Sequence, residues 1–273
     1  MYVDVHTHLT HPKFADDKHE VIKAAIAAGL KAIVVNGLEP ASNREILELA
    51  DAYEEIKPAL GIYPVDAVCD LLDDTFPFTV KKFDVDAEVK FIGEQASAGN
   101  LAAVGECGLD GHWLGEETYK RQEQVFENLI AIATSNNLPI IIHTRKLEKR
   151  TAEILAHHNV KKVNFHCYGG RTKFALEWAE KYNWHFSIPA NANKNQAFAK
   201  MLKILPLENI LTETDAPFLA PVSGERNEPK NVRGTVEIFA ELRDLDLEQA
   251  KLQIWTNYQN LFSYDPQNKK PPL

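Results

Sequence analysis

The chain opens on Tyr2-Val3-Asp4-Val5-His6-Thr7-His8, a stretch in which apolar residues and histidines alternate. Side chains alternate between the two faces of a β-strand, so His6 and His8 point to one face while Val3 and Val5 point to the other. Imidazole nitrogen is the commonest protein ligand for metals such as zinc, manganese and iron. The strand therefore predicts part of a metal site, although two packed, hydrogen-bonded histidines would give the same short pattern.

Length and composition are those of an ordinary globular protein. The chain has 273 residues, of which 45% are hydrophobic and 25% are charged, and α/β barrels commonly use about 250 residues as one domain. We expect a single domain over residues 1–265 and a loose tail over 266–273. No apolar run approaches the roughly 18 residues of a membrane-spanning helix, and no basic and apolar leader precedes the first strand. These features predict a cytoplasmic protein with no membrane contact.

The charge and the cysteines restrict the function classes further. The net charge is −9, whereas a protein that holds long nucleic acid by phosphate neutralisation alone is usually basic. Any nucleic-acid contact must therefore be local. Cys69, Cys107 and Cys167 are widely spaced and form no CxxC pair, which argues against a disulfide framework or a Cys-type zinc site. A reducing compartment fits, and no obligate protein partner is indicated.

Short apolar strands alternate with amphipathic helices along the whole chain. After the first strand, the pattern predicts strands over 31–36, 58–64, 102–106, 139–143, 162–166, 184–188 and 209–215. Helices are predicted between them, with two more after the last strand, over 232–242 and 247–262. About eight such repeats favour a closed (β/α)8 TIM barrel, whose strands converge at their carboxyl-terminal ends on one face. Barrel enzymes carry their active sites on that face.

Six potential metal ligands stand at or near the predicted strand ends: His6, His8, Glu106, His143, His166 and Asp215. Six are too many for one tetrahedral ion but suit two cations. Glu106, which comes between the two pairs of histidines, could bridge cations about 3.5–4 Å apart. A structural role is conceivable for each residue alone, since His143 could cap a strand and Asp215 a turn. Burying all six unpaired would cost several kcal/mol, so the set as a whole favours a two-metal site.

Five motifs resemble those of the TatD-like metal-dependent hydrolases, a branch of the amidohydrolase-type barrels. In chain order they are residues 4–9 (DVHTHL), 105–110 (GECGLD), 138–145 (LPIIIHTR), 166–170 (HCYGG) and 213–219 (ETDAPFL), followed by 226–229 (RNEP). The resemblance covers nearly the whole chain. It implies one cation on His6, His8, Glu106 and Asp215, and a second on Glu106, His143 and His166. It also implies a nuclease that acts on DNA or RNA ends.

The chain departs from the family pattern on the substrate side of this site. Where the family usually has Gly-x-His-Pro, the chain reads Gly61-Ile62-Tyr63-Pro64. Tyr63 can donate a hydrogen bond but carries no positive charge near neutral pH. The common Ser-Gly after the sixth-strand histidine is replaced by Gly169-Gly170, and a common aspartate after Arg145 is absent.

We expect metal-assisted hydrolysis, in which two cations lower the pKa of a water and stabilise charge on the reacting oxygen. Asp215 and Glu106 are predicted to be catalytic, Asp215 as the acceptor of the water proton. Arg145 and Arg226 are predicted to grip a phosphate, with a salt bridge that holds a loop as the alternative for each. Tyr63 is the third predicted substrate contact. Two further expectations are that Glu213 supports the ligands and that Cys107 and Cys167 face the helix-packed side.

The first functional hypothesis is a phosphodiesterase or deoxyribonuclease acting on DNA or RNA ends or on a small phosphodiester. The alternative is an amidase, lactonase or deacylase acting on a C–N or C–O bond, which the uncharged Tyr63 and the acidic chain favour. A non-catalytic scaffold would be expected to lose ligands, yet all six are present. Four histidines favour zinc, manganese or iron, whereas the family resemblance adds magnesium, so we expect two divalent ions of zinc, manganese or magnesium.

Overall fold

The computed structural model describes residues 1–263, in which eight strands form one parallel sheet in sequence order. The strands are β1 (Tyr2–Thr7), β2 (Leu30–Asn36), β3 (Ile56–Leu60), β4 (Ala103–Asp110), β5 (Ile140–Arg145), β6 (Val163–His166), β7 (His185–Ile188) and β8 (Ile210–Thr212). Each strand pairs in parallel with the next one along the chain. The predicted (β/α)8 TIM barrel is confirmed.

Helices follow the strands and pack on the outside of the sheet through their apolar faces. They are α1 (Lys18–Ala27), α2 (Pro40–Ala52), α3 (Val85–Ser97), α4 (Glu116–Ser135), α5 (Glu148–His157), α6 (Thr172–Tyr182), α7 (Gln196–Ile204), α8 (Val232–Leu242) and α9 (Leu247–Phe262). Nearly every strand residue is buried, as expected for parallel strands covered on both faces. The core thus lies inside the barrel and between the barrel and its helices.

The barrel closes where the chain segments after β8 meet β1. The backbone N–H of Asp215 donates to the carbonyl of His6 (2.9 Å), and that of His8 donates to the carbonyl of Ala216 (2.8 Å). Nearer the amino-terminal end of the barrel, the Thr212 hydroxyl donates to the Val3 carbonyl (3.0 Å). Closure therefore brings residues from the two ends of the sequence side by side.

The ends of β3, β4 and β8 differ most from the sequence prediction, each for a local reason. Strand β8 stops at Thr212, before the predicted end at Asp215, which has a left-handed φ of 55° that no strand continues. Strand β4 runs past the predicted end at 106, because Asp110 still pairs with Arg145 of β5. Strand β3 stops before Gly61, where the chain passes directly against the backbone of Glu106.

No helix within residues 1–263 combines the length and the apolar character needed to cross a membrane. The predicted loose tail, and the domain boundary at 265, lie outside the described residues.

Candidate active site

The six side chains predicted as metal ligands come together at the carboxyl-terminal end of the barrel. Their ligand atoms form three overlapping groups, and within each group the atoms lie within 4.8 Å of one another: His6, His166 and Asp215; His6, His8 and Glu106; and Glu106, His143 and His166. All but His6 line a cavity of about 570 Å³. His6 is completely buried, with its ring stacked on that of His166 at a centroid distance of 3.8 Å.

Glu106 lies at the centre of this cluster, with one carboxylate oxygen toward each pair of histidines. Its Oε2 is 3.3 Å from Nε2 of His6 and 3.3 Å from Nε2 of His8. Its Oε1 is 3.0 Å from Nδ1 of His143 and 3.1 Å from Nε2 of His166. The carboxylate therefore separates the histidines into two groups and is shared by both.

Asp215 belongs to the first of these groups. Its Oδ1 lies 3.4 Å from Nε2 of His8 and 3.7 Å from Nε2 of His6. The side chain of Asp215 is 14% exposed, against 4% for that of Glu106. Asp215 is therefore the carboxylate in the cluster that is more open to the cavity.

The hydrogen bonds around the cluster fit metal ligation. Nδ1 of His8 lies 3.1 Å from the carbonyl oxygen of Asn36, and Nε2 of His143 lies 2.9 Å from Oδ2 of Asp110. These oxygens act as acceptors, so each histidine carries a proton on that nitrogen and turns its other nitrogen toward Glu106. Separations of 3.0–3.7 Å between the facing atoms are those of ligands that share one ion at about 2.0–2.2 Å. The donor set and its geometry can hold divalent cations.

The electrostatics of the cluster also favour bound positive charge. Burial lowers the pKa of His8, but hydrogen bonds to Asp215 and Glu106 and the charges of both carboxylates outweigh it and raise the pKa to about 10. Burial raises the pKa of Glu106, but the charge of His166 and hydrogen bonds from His143 and other histidines hold it well below its usual range. Glu106 therefore stays ionised in a buried position, where it strongly attracts protons or cations.

Asp110 orients His143, and sequence reasoning did not single it out as a site residue. Its second oxygen, Oδ1, accepts hydrogen bonds from the backbone N–H groups of His112 (2.7 Å) and Trp113 (2.8 Å). Both oxygens of this fully buried carboxylate are thereby engaged. The spacing could have pointed to Asp110 from the sequence. It lies four residues after Glu106, and in a regular strand two residues four apart share one face.

Asp4 supports the barrel closure beneath His6 and was also missed. Its carboxylate accepts hydrogen bonds from the Thr214 backbone N–H (2.9 Å), the Thr214 hydroxyl (2.5 Å) and the His6 backbone N–H (3.2 Å). Asp4 lies two residues before His6, and this spacing could have indicated that the two side chains share one face of the strand. Asp4 thus ties the first ligand strand to the chain that carries Asp215.

Glu213, predicted to support the ligands, is fully buried and accepts hydrogen bonds from the Cys167 backbone N–H (2.8 Å) and the Ser187 hydroxyl. Its Oε1 lies 3.7 Å from Nδ1 of His166. The prediction for Cys167 is wrong, because this residue lines the cavity. Strand β6 ends at His166 and Cys167 has a φ of 42°, so the alternation of a strand no longer applies. Cys107 is buried.

Two of the three predicted substrate residues, Tyr63 and Arg145, line the cavity. The Tyr63 ring packs edge-on against His143 at a centroid distance of 4.8 Å. Burial, followed by the charges of Glu106 and Asp110, raises the pKa of Tyr63, so its hydroxyl keeps its proton. Arg145 is exposed and lies at the end of β5.

The structure places Arg226, the third predicted substrate residue, in a salt-bridge network. Its guanidinium donates to both carboxylate oxygens of Asp17 (2.8 and 2.6 Å), to Glu228 (3.1 Å) and to the Lys13 carbonyl (2.8 Å). Two carboxylates and a carbonyl accept from its two terminal NH₂ groups. These contacts favour the alternative stated for Arg226, a salt bridge that holds the loop, over the predicted substrate contact.

A parallel eight-stranded barrel with four histidines and two carboxylates at the carboxyl-terminal ends of its strands has the architecture of a metal-dependent hydrolase. The chain belongs to the TatD-related DNase family, whose model matches residues 3–263. It is 32% identical to the uncharacterized metal-dependent hydrolase YabD of Bacillus subtilis, over 96% of this chain and 99% of that protein. It is also 32% identical to human deoxyribonuclease TATDN3, over 91% and 89% of the two chains.

The fold has a solved counterpart in the crystal structure of YJJV, a TatD homologue from Escherichia coli. The TM-score is 0.82 at 22% identity, covering 97% of this chain and 98% of that one. The resemblance drawn from the five motifs is confirmed, and the chain is a hydrolase.

Proposed function

We propose that this hydrolase is a two-metal phosphodiesterase that cleaves nucleotides from the ends of DNA or RNA. The observation that carries the two-metal part is Glu106, whose oxygens face separate histidine pairs at 3.0–3.3 Å. The phosphodiester part is supported by Arg145 on the cavity wall and by the deoxyribonuclease named among the relatives.

In this proposal the cluster would hold two divalent ions. His6, His8, Asp215 and Glu106 would hold the first ion, and His143, His166 and Glu106 would hold the second. Bound divalent ions supply a nucleophilic water near neutral pH and neutralise charge on the reacting oxygens. Four imidazole donors favour zinc or manganese by ligand softness, with magnesium as the third candidate.

The protein residues contribute proton transfer and substrate binding. Burial raises the pKa of Asp215, but a hydrogen bond from His8 and the charge of His166 hold it below the usual range. Asp215 is therefore ionised at neutral pH and, being partly exposed to the cavity, can accept the proton of the attacking water. Arg145 can bind two phosphate oxygens through its planar guanidinium. The neutral hydroxyl of Tyr63 can donate one hydrogen bond to the substrate.

Hydrolysis of a C–N or C–O bond is the second candidate, and Tyr63 is the observation that favours it. A neutral phenol stands on the cavity wall where a phosphate would be better matched by a cation. Arg145 separates the two hypotheses. An Arg145→Gln variant should lose activity on phosphodiesters, whereas an amide or lactone hydrolase has no anionic group for Arg145 to bind.

The test is turnover after chelation and re-addition of zinc, manganese or magnesium, on oligonucleotides and on a panel of amides and lactones. We expect metal-dependent release of nucleotides from oligonucleotide ends. Glu106→Gln and Asp215→Asn should each lose on the order of a thousandfold in turnover, since several kcal/mol of charge stabilisation correspond to about that factor. Bound metal should fall from two ions to at most one in Glu106→Gln.

Glu54→Gln is the control. Glu54 is exposed and precedes β3 at the amino-terminal end of the barrel, so its variant should keep both metal content and turnover. Two bound ions with full turnover in Glu106→Gln would rule out Glu106 as the shared ligand, and at most one bound ion in the wild type would rule out the two-metal scheme. Turnover confined to the amide and lactone panel would rule out the nuclease.

A further inference from the structure

A second cleft of about 630 Å³ adjoins the candidate active site. The segment from Lys146 to Arg150, at the start of α5, forms one wall, and the segment from Tyr168 to Arg171, before α6, forms the other. Gly169 lines both this cleft and the cavity of the metal cluster. The two spaces therefore meet at Gly169.

This cleft, called the basic cleft below, carries positive charge that is not neutralised by ion pairs. Four basic side chains and one acidic side chain line it: Lys146, Lys149, Arg150, Arg171 and Glu148. Arg150 is paired with Glu123 outside the cleft. In the part of the chain that the structure describes, Lys146, Lys149 and Arg171 are exposed and form no salt bridge. Three free cations thus concentrate beside the candidate site of a chain with net charge −9.

Two helix N-termini point their partial positive charge toward the same cleft. Helices α5 and α6 begin there, and neither of their N-cap residues, Leu147 and Arg171, makes a side-chain capping hydrogen bond. The first backbone N–H groups of a helix lack intrahelical partners and bind anions readily. The helix ends and the three cations therefore favour the same kind of ligand.

Tyr168 adds an unsatisfied donor to this cleft. The residue lines the cleft and is only 1% exposed, and its hydroxyl, which lies beside Gly170, has no hydrogen-bond partner within residues 1–263. A tyrosine hydroxyl is protonated at neutral pH and can donate one hydrogen bond. A buried donor is normally satisfied by protein, water or a ligand, and the position of this hydroxyl in the cleft allows a ligand to accept from it.

We propose that the basic cleft is a subsite for the phosphate backbone of a nucleic-acid strand, one or more nucleotides away from the phosphate cleaved at the metal cluster. The inference rests on the proposed nuclease function and narrows it to substrates of several nucleotides. A strand fits because its successive phosphates each carry one negative charge, which matches three free cations in a cleft continuous with the active site. It also accounts for nucleic-acid binding by an acidic chain, since the contact is local.

The test compares two metal-loaded triple variants with the wild type on a thymidine dinucleotide and an oligothymidylate of about twelve nucleotides. The first variant, Lys146→Ala/Lys149→Ala/Arg171→Ala, removes the free cations of the basic cleft. The control, Lys23→Ala/Lys31→Ala/Lys161→Ala, removes three exposed lysines elsewhere on the barrel, so both variants lose the same charge. Thermal melting of each variant shows whether it is folded. The single charge reversal Lys149→Glu tests the same cleft with only one substitution.

In the first variant we expect KM for the long strand to rise about tenfold or more with kcat unchanged, because the lost contacts are remote from the reacting bond. The slope of log(kcat/KM) against log salt concentration should become shallower by about 2, since each phosphate contact to a single strand contributes about 0.7. Lys149→Glu should shift KM in the same direction. The dinucleotide should be cleaved equally by all variants, and the control should match the wild type on both substrates.

Three outcomes would overturn the subsite. If the first variant cleaves the long strand like the control, the nuclease stands and the basic cleft does not bind the strand. If the first variant loses activity equally on the dinucleotide, its side chains act at the metal cluster instead. If the wild type cleaves no oligonucleotide with any of the metals, the proposed function fails and the subsite fails with it.

Discussion

At the scale of single residues, Asp110 controls which nitrogen of His143 is available to a metal. Its Oδ2 accepts from Nε2 of His143 (2.9 Å), while its Oδ1 accepts from the N–H groups of His112 and Trp113. A carboxylate can do both because it has only acceptors. An amide cannot, because whichever way it turns, its NH₂ group faces another donor.

Asp110→Asn should therefore lower the affinity for one metal ion by about 10–100-fold, the usual cost of losing a partner behind a ligating histidine. The measurement is kcat/KM as a function of metal concentration, which should recover at saturating metal because the ligands themselves remain. Asp73→Asn, at an exposed turn where Asp73 accepts from Thr75, is the control and should leave the metal dependence unchanged. A wild-type metal dependence in Asp110→Asn would contradict this role.

The six candidate ligands could be picked out from the sequence because each stands at or near the end of a predicted apolar strand, and barrel geometry brings such ends together. The residues that orient these side chains were harder to predict. The partner of His8 is the backbone carbonyl of Asn36. Every residue has a backbone carbonyl, so the sequence does not show which one forms this bond. Arg226 reads equally well as a phosphate contact or as a salt bridge, because its partner Asp17 is remote in sequence and only the fold brings the two together.

At the scale of elements, the position of Glu106 depends on an irregularity in β4. The ladder between β4 and β5 shifts register between Val104 and Cys107, so β4 carries one more residue there than β5. Such bulges redirect side chains and recur beside active sites. Regular alternation does not predict them, which is why the sequence indicated that Glu106 belongs to the site but not how it is centred between the histidines.

Gly61, just after β3, is the residue that leaves room for this part of β4. A Cβ at Gly61 would lie 2.3 Å from the Glu106 carbonyl oxygen and 2.6 Å from its nitrogen. Gly61→Ala should therefore displace Glu106, destabilise the fold by about 1–3 kcal/mol as overpacking typically does, and abolish most turnover. Urea denaturation and turnover with saturating metal measure the two effects.

Gly234→Ala is the matched control for this substitution. Gly234 lies within α8, and a Cβ there meets nothing within 4 Å. The change should stabilise the protein by up to about 1 kcal/mol, because alanine is the better helix former, and turnover should not change. Wild-type stability and turnover in Gly61→Ala would show that β4 can adjust without moving Glu106.

At the scale of the whole molecule, the two ends of the barrel have different tasks. The carboxyl-terminal ends carry the candidate ligands, the cavity and the basic cleft, while the amino-terminal ends contribute to stability, as is general for this fold. The alternation of strands and helices was enough to predict the barrel. Its closure was not predictable in detail, because β1 and β8 meet through bonds such as Asp215 to His6, which join residues from opposite ends of the chain.

His185, at the start of β7, should make this amino-terminal end sensitive to acid. Burial lowers its pKa to about 4, although Glu208 opposes the shift, and the ordinary value is 6.5. Between these two pH values the unfolded chain binds a proton that the folded protein does not. The free energy of unfolding should therefore fall as the pH drops from about 6.5 to about 4, by roughly 1.4 kcal/mol per pH unit or about 3 kcal/mol in all.

The measurement is urea denaturation of the metal-free protein near pH 7 and near pH 4.5, so that release of metal does not contribute. His185→Gln removes the titrating group, and its loss of stability between the two pH values should be smaller than that of the wild type by about 2–3 kcal/mol. Other carboxylates and histidines titrate in both proteins, and their effects cancel in this difference. His157→Gln, at an exposed position at the end of α5, should keep the wild-type difference. Equal losses in His185→Gln and in the wild type would mean that His185 is already protonated in the folded barrel, and that acid destabilises the molecule through other groups.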